Sequence, residues 1–216
     1  KSADERYVRT VMGNEAAIEA RQSIAIISGG NYLNNASNLT SNGNLSLTAQ
    51  DDIVISGIHK DWRYATHFYK SDTDRQSKSS TITAGGNLVM NAGKDLTAQA
   101  GDISAGKNAS LSAGNDLNLN AETTGTSRRD GGKTRYSNGI DRTTVSAGED
   151  LTLAAGRDIN SQAAGLAAEN DVNMKAGRDV NLLAVATGEG SSSKSKKKTV
   201  IDDRVRQQEI GRASCR

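Results

Sequence analysis

The carboxylates of this chain recur at spacings that raise the question of a bound cation. Asp95, Asp116, Asp150, Asp158 and Asp179 each stand two residues after the Gly of an Ala-Gly-x-Asp run, and Asp171 holds the same place in a variant run. Calcium-binding β-rolls stack Asp in this way, but they need a period of nine residues and the pattern Gly-Gly-x-Gly-x-Asp. Here a single Gly is usual, and Asn87 and Asn108 stand where other repeats carry Asp. An amide for a carboxylate suits a local backbone contact better than a ligand counted by charge. The chemistry read from these positions is therefore that of structural turns, formed by Gly85, Gly93, Asp95, Gly106, Gly114, Asp116, Gly148, Asp150, Gly156, Asp158, Gly177 and Asp179. The glycines are expected to supply positive φ at corners.

Other reactive groups are sparse. His59, Asp61 and His67 are types that bind zinc, but they lie in a polar stretch with nothing to fix their spacing, so no metal or other cofactor is expected. Serines are plentiful, yet no Gly-x-Ser-x-Gly elbow occurs and neither His sits beside a candidate nucleophile. The carboxylates are spread one per step rather than gathered in a groove, so the chain does not read as an enzyme. Two clusters remain as candidate surface contacts. Trp62, Arg63, Tyr64, Phe68 and Tyr69 include the only Trp and the only Phe of the chain. Rings with Arg are enriched at binding hot spots, and the plainer reading is packing of rings across strands. Lys194, Lys196, Lys197 and Lys198 form a basic run that reads as a solvated loop or as an attraction for anionic headgroups. Nucleic acid is not expected, because 27 basic residues nearly cancel 25 acidic ones and are not gathered on one face.

What must position these residues is a repeat. Leading apolar residues at Leu88, Leu96, Ala109 and Leu117 are separated by steps of 8, 13 and 8. The same steps separate Ile24, Tyr32, Leu45 and Ile53, and again Leu151, Ile159, Val172 and Val180. Two steps make 21 residues. Alternating apolar pairs such as Leu117/Leu119 and Leu151/Leu153 suit strands with one buried side. A further apolar residue stands six before each leading position, as Leu39, Ile82 and Val145 do. One 21-residue turn cannot bury its apolar side alone, whereas stacked turns bury a continuous column. The pattern predicts an all-β chain folded as a parallel β-helix of about six coils, on the order of 30 Å long.

Leu, Ile, Val and Phe make only 38 of 216 residues, and Pro is absent. Few large apolar residues suggest disorder only when net charge is also high, and small residues such as Ala109 and Ala113 can fill a narrow column. No apolar run approaches the roughly 18 residues of a membrane helix, so no transmembrane span is expected.

Along the chain, residues 1–17 read as the ragged end of a preceding repeat, and 18–186 as the helix proper. The ruler is interrupted near 58–80 and 122–143 by polar excursions of about 21 residues, and a third begins near Thr187 and runs within 187–208. Two coils and one excursion give a larger unit: from Leu88 to Leu151 is 63 residues. The excursions fit either β-arms that leave the rod and return or added polar coils. Residues 209–216 break every pattern and read as the in-frame translation of a sequencing-adapter sequence, which would remove Cys215, the only cysteine, from consideration.

These corners (AGKDL, AGNDL, AGEDL, AGRDI, AGRDV) with Ser/Lys-rich excursions resemble the haemagglutinin repeats of filamentous haemagglutinin-type exoproteins, over about residues 16–200. Those are bacterial two-partner-secretion proteins, among them adhesins and the large toxins of contact-dependent growth inhibition. The resemblance implies a right-handed β-helical filament, exported through an outer-membrane transporter partner and displayed at the cell surface. It also implies one of two roles. The chain is either a section that presents or delivers a distal domain to a neighbouring cell, or an adhesin segment that binds a host glycan, surface protein or outer membrane.

Overall fold

In a computed structural model, residues 6–9, 13–66, 70–194 and 198–208 are described. The described chain is all strand, turn and bend. Its first strand, β1 (Arg6–Arg9), precedes six coils of three strands each. The first coil is β2 (Ala17–Ala20), β3 (Ile24–Ser28) and β4 (Tyr32–Asn35). The second is β5 (Asn38–Ser41), β6 (Leu45–Ala49) and β7 (Ile53–Ser56), followed by an arm of β8 (Ile58–Thr66) and β9 (Lys70–Lys78). The third coil is β10 (Ser80–Ala84), β11 (Leu88–Ala92) and β12 (Leu96–Gln99). The fourth is β13 (Gly101–Ala105), β14 (Ala109–Ala113) and β15 (Leu117–Asn120), followed by an arm of β16 (Glu122–Asp130) and β17 (Lys133–Asp141). The fifth is β18 (Thr144–Ala147), β19 (Leu151–Ala155) and β20 (Ile159–Gln162). The sixth is β21 (Gly165–Ala168), β22 (Val172–Ala176) and β23 (Val180–Leu183), followed by an arm of β24 (Val185–Lys194) and β25 (Thr199–Gln208).

Corresponding strands of successive coils pair in parallel, which gives three six-stranded sheets around one column. The register keeps like over like: Leu88 lies over Leu45 and beneath Ala109, and Leu96 lies between Ile53 and Leu117. Every second residue points inward. Leu45, Leu47, Ile53, Leu88, Leu96, Leu111, Leu117, Leu119, Leu151 and Leu153 are all buried. Alanines occupy the inner positions at strand ends, at Ala49, Ala84, Ala92, Ala105 and Ala113. A methyl fills the narrow space near a corner where a Leu would overpack it.

The excursions are β-arms, which settles the alternative left open by the sequence. The first two leave the third face and return to the first face of the next coil, at β10 and β18, and the third leaves the third face after β23. The return strand of one arm pairs antiparallel with the outgoing strand of the next, so the fin is one sheet in the order β1-β8-β9-β16-β17-β24-β25. The 63-residue unit follows from this geometry. Strands in a sheet are about 4.8 Å apart, so a two-stranded arm advances the fin by the same ~10 Å as two coils advance the rod. An arm on every coil would crowd the fin, and an arm on every third would leave a gap in it.

Coils without an arm close the third corner with one left-handed residue: Ala36 (φ 46°), Ala100 (φ 50°) and Ala163 (φ 51°). The amide of each donates to the carbonyl of the residue where the next coil's third face ends, Ser56, Asn120 or Leu183, at 2.8, 3.1 and 2.8 Å. This corrects the expectation that the Ala-Gly corners use positive φ. Gly131, at an arm tip, is the only described glycine with positive φ (58°). The corner glycines are needed for space instead. A Cβ on Gly85, Gly93, Gly106, Gly114, Gly148, Gly156 or Gly177 would fall closer than 3.0 Å to a backbone carbonyl oxygen of the coil beneath.

Candidate functional site

The turn carboxylates and amides form two ladders that tie coil to coil. At the corner between second and third faces, the amide of each residue donates to the side-chain oxygen one coil below. The series runs Asn31, Asp52, Asp95, Asp116, Asp158, Asp179, with distances of 3.0, 3.1, 3.0, 3.2 and 3.2 Å. At the corner between first and second faces the series is Ser23, Asn44, Asn87, Asn108, Asp150, Asp171, at 3.2, 2.9, 3.2, 3.1 and 3.2 Å. Asn87 and Asn108 thus share a column with Asp150 and Asp171, but not with Asp95, Asp116, Asp158 and Asp179. The single class of turn residue read from the sequence is two classes on two corners.

The acidic column is accompanied by cations. Arg157 reaches back to Asp116 at 2.6 Å, and Arg178 to Asp158 at 2.5 Å. Lys94 pairs with Asp51 at 2.9 Å, a contact that raises the Lys94 pKa. The hydrogen bond from Arg178 holds the Asp158 carboxyl below the usual carboxylate range. Partial desolvation opposes that shift and the Asp179 amide assists it. Because the folded pKa is depressed, this contribution is present above the unfolded value near 4 and is lost as pH falls through the folded value. Arg178→Gln is therefore expected to melt below wild type at pH 6, with the gap closing as pH is lowered towards about 2. Thermal melts of both proteins across that range check it; a gap unchanged at low pH would show that the contact is not electrostatic.

The arms are anchored by two hydroxyls that the apolar ruler does not pick out. Ser80 and Thr143, fully buried and 63 residues apart, stand two before Ile82 and Val145 where each arm rejoins the rod. Ser80 Oγ donates to the Ser56 carbonyl at 2.6 Å, with the Asn34 carbonyl also in reach at 3.1 Å. Thr143 Oγ1 donates to the Asn120 carbonyl at 2.7 Å, with the Ala98 carbonyl at 3.1 Å. Each also accepts an amide, from Ser37 or Gly101, at 3.4 Å. A polar residue two before an apolar one, at both points where the ruler resumes, was the available signal.

On the fin, the candidate contact cluster divides between two faces. Trp62 and Tyr64 are half-buried on one face of β8, with ring centroids 6.1 Å apart and planes 11° from parallel. They lie side by side along β8 and stand opposite Asp74 and Asp72 of β9. Arg63 is exposed on the other face, where Asp61 pairs with Arg75 at 3.2 Å. His59 lies 3.2 Å from Glu122 of the next arm. Among the described residues, no group of three or more His, Cys, Asp or Glu gathers as a metal site. His67, Phe68, Tyr69, Lys196, Lys197 and the 209–216 tail lie outside the described residues.

The sheet brings together cations that are distant in sequence. Lys70, Arg128, Arg129, Lys133, Lys194 and Lys198, all exposed, lie at or near the arm tips along the outer edge of the fin. The row is fixed by the ladder, with Asp130 between Lys70 and Lys133, and the Lys194 amide donating to the Gly132 carbonyl at 2.7 Å. Tyr136 lies across Gly190, and its hydroxyl donates to Asp203 at 2.8 Å, which raises the tyrosine pKa. Among the described residues no helix is long and apolar enough to cross a membrane.

Comparison with known proteins agrees with this geometry. Residues 64–142 and 127–204 match the family described as "Hemagglutinin repeat", and residues 10–57 match a second described as "Haemagglutinin repeat". The chain is 41% identical over 138 residues to the "tRNA nuclease CdiA" of Escherichia coli, covering 64% of this chain and 4% of that protein. It is 41% identical over 226 aligned positions to the "16S rRNA endonuclease CdiA" of Enterobacter cloacae subsp. cloacae, covering 92% of this chain and 7% of that protein. The chain thus spans less than a tenth of the length of either relative, and the families it matches are repeats rather than an enzyme domain. No solved structure matches the chain. With a repeat match over most of its length and a relative aligned across nearly all of it, the chain belongs to the haemagglutinin-repeat family of secreted, cell-surface exoproteins.

Proposed function

We propose that this chain is a structural and delivery section of a contact-dependent inhibition exoprotein, one that carries a distal domain to a neighbouring cell. The observation that carries the reading is the division of labour between rod and fin. The rod's inner side chains fill one column and its backbone groups pair above and below, so it is committed to stacking. The fin adds a second continuous sheet that stiffens the rod and presents side chains away from it. Nuclease activity, which the relatives' names record for those proteins, would belong to the distal domain, and export would use an outer-membrane two-partner-secretion transporter. The corner residues Gly85, Gly93, Asp95, Gly106, Gly114, Asp116, Gly148, Asp150, Gly156, Asp158, Gly177 and Asp179 serve the stack and contact no partner.

A second reading, an adhesin segment whose arms bind a glycan, surface protein or outer membrane of the target cell, is favoured by one observation: the Trp62–Tyr64 pair and the basic arm tips stand on the fin and not on the rod. Both readings place recognition in the arms. Replacing residues 59–78 by a short Gly/Ser link in the full-length protein is expected to leave the β-rich circular dichroism spectrum in place while reducing attachment or delivery. The loss includes the edge that β9 gives β16, so the fin is interrupted as well as shortened. Undiminished action on target cells by a folded variant would move recognition out of this arm. Attachment lost with delivery per attached cell unchanged would favour the adhesin reading.

A further inference from the structure

Antiparallel pairing carries one row of side chains across the fin. Trp62 of β8 stands opposite Asp74 of β9, Asp74 opposite Thr126 of β16, Thr126 opposite Ser137 of β17, and Ser137 opposite Glu189 of β24. Directly opposite residues share a face of a sheet, so these side chains, from five adjacent strands, stand on one side of the fin. The next row towards the arm tips, Tyr64, Asp72, Arg128, Arg135 and Ser191, shares that side. Thr126, Arg128, Arg135, Ser137, Glu189 and Ser191 are exposed, and Trp62, Tyr64, Asp72 and Asp74 are half-buried. The first row borders an open cleft of about 480 Å³, whose lining includes Asp74, Gln76, Thr124, Thr126, Ser137 and Gly139. Gln76 donates to Asp74 at 2.9 Å, which holds that carboxylate in place. On the opposite side of the fin, Asp61 is paired with Arg75, and the Tyr136 ring covers Gly190 with its hydroxyl on Asp203, so those groups are engaged within the sheet.

We infer that this side of the fin binds an uncharged, linear oligosaccharide laid across the strands, one sugar ring to each strand, with its first ring against Trp62 and Tyr64. Such a site rests on the adhesin reading of the arms and gives their ligand a charge, a shape and a place. Strands about 4.8 Å apart set the polar groups of a row at nearly the repeat length of an extended glycan chain. Ring after ring can then meet a carboxylate or a hydroxyl in register. The Trp62 and Tyr64 rings, 11° from parallel with centroids 6.1 Å apart, offer π faces to the C–H bonds of a sugar. The charges select against an ionic ligand. Asp72 and Asp74 lie beside Arg128 and Arg135, and Glu189 stands beyond Ser137. An anionic polymer would meet three carboxylates, and a cationic one two guanidinium groups. A neutral chain of hydroxyls donates to the first and accepts from the second. A protein partner calls for an apolar centre, and beyond Trp62 and Tyr64 neither row supplies one.

Isothermal titration of the full 216-residue chain with cello-, laminari- and chito-oligosaccharides, from disaccharide to hexasaccharide, tests this. In at least one series, affinity is expected to rise with each added ring up to the pentasaccharide and to level off there. It should be unchanged between about 0.05 and 0.5 M salt. Trp62→Ala should weaken pentasaccharide binding at least about tenfold. Thr126→Lys, which puts a long side chain at an exposed position in the middle of the row, should do the same with the circular dichroism spectrum unchanged. Arg63→Ser, exposed on the opposite side, should leave affinity as it is. Absence of binding by every series up to about 10 mM overturns the inference. So does binding that is independent of length, or that survives both row substitutions. Binding of a sulfated oligosaccharide in place of neutral ones, falling as salt rises, also overturns it while leaving the adhesin reading standing. Length-dependent neutral binding, with attachment undiminished when residues 59–78 are replaced in the full-length protein, upholds the site and removes the adhesin reading.

Discussion

Leu117→Asp is expected to destabilise the stack by more than about 4 kcal/mol, whereas Asn118→Asp changes stability by no more than roughly 0.5 kcal/mol. The two residues are adjacent and receive the same carboxylate, so the difference measures orientation alone. Leu117 is fully buried in the fourth coil, between Leu96 below and Ile159 above. An aspartate there would sit in an apolar column without a partner, and the packing of the leucine side chain would be lost too. Asn118 points outward, and its Oδ1 accepts from Asn160 Nδ2 at 2.9 Å. Aspartate keeps an acceptor in that place. In a stack where each coil touches only its neighbours, damage to the fourth coil weakens both interfaces that flank it, so the effect reaches beyond the site. Chemical denaturation of both variants beside wild type is the measurement, and equal losses would mean that the strand register is wrong.

The rod was legible in the sequence because burial imposes its period directly. Leu88, Leu96, Leu111 and Leu117 must be apolar wherever they touch the column, and no other demand competes at those positions. The arms were less legible. Their faces are solvated on much of their length, so β16 and β17 read as charge, Ser and Thr with no apolar alternation. The Asp130-Gly131-Gly132-Lys133 run is a hairpin turn signal, and Gly131 does take positive φ there. The alternative of an added polar coil remained open because an arm and a coil consume about the same number of residues. What separates them is the fin's spacing requirement, which exists only between arms and leaves no mark within one arm.

The corners show a different limit. Ala-Gly was expected to mark positive φ, because glycine's backbone freedom is its commonest use at a turn. Here the backbone of Gly93 or Gly114 is ordinary, and the missing Cβ makes room for the carbonyl of the next coil. A single repeat cannot distinguish those reasons, since the conflict arises between residues about one coil apart. The positive φ falls instead on Ala36, Ala100 and Ala163, where sequence gives no hint of it. These methyls are buried, and burying one offsets part of a left-handed cost of about 1–2 kcal/mol. Likewise, the separation of Asn87 and Asn108 from Asp95 and Asp116 required knowing that each coil has three corners. The ruler of 8 and 13 displays two of its marks clearly and hides the third in the six-residue offset.

The corner argument gives the second large effect. Gly114→Ala is expected to cost about 3–5 kcal/mol, a size reserved for overpacking or strain in a core, although the change adds one methyl. Its Cβ would fall closer than 3.0 Å to the carbonyl oxygen of Gly93. Neither backbone can step aside cheaply. The Gly114 amide donates to Ala92 at 3.0 Å and the Asn115 amide to Lys94 at 2.7 Å, so relief means parting two coils at a ladder that runs the length of the rod. Gly30→Ala is the matched control. It lies in the neighbouring column, which carries Asp51, Lys94, Asn115, Arg157 and Arg178 elsewhere, and a Cβ added there would meet nothing within 4 Å. With no positive φ to strain, that substitution should be neutral or add about 0.4–1 kcal/mol by restricting the unfolded chain. Denaturation midpoints of the two variants at low protein concentration decide the matter. If Gly114→Ala proves as harmless as Gly30→Ala, the coils are not packed carbonyl against glycine at this corner, and the repeated glycines need another explanation.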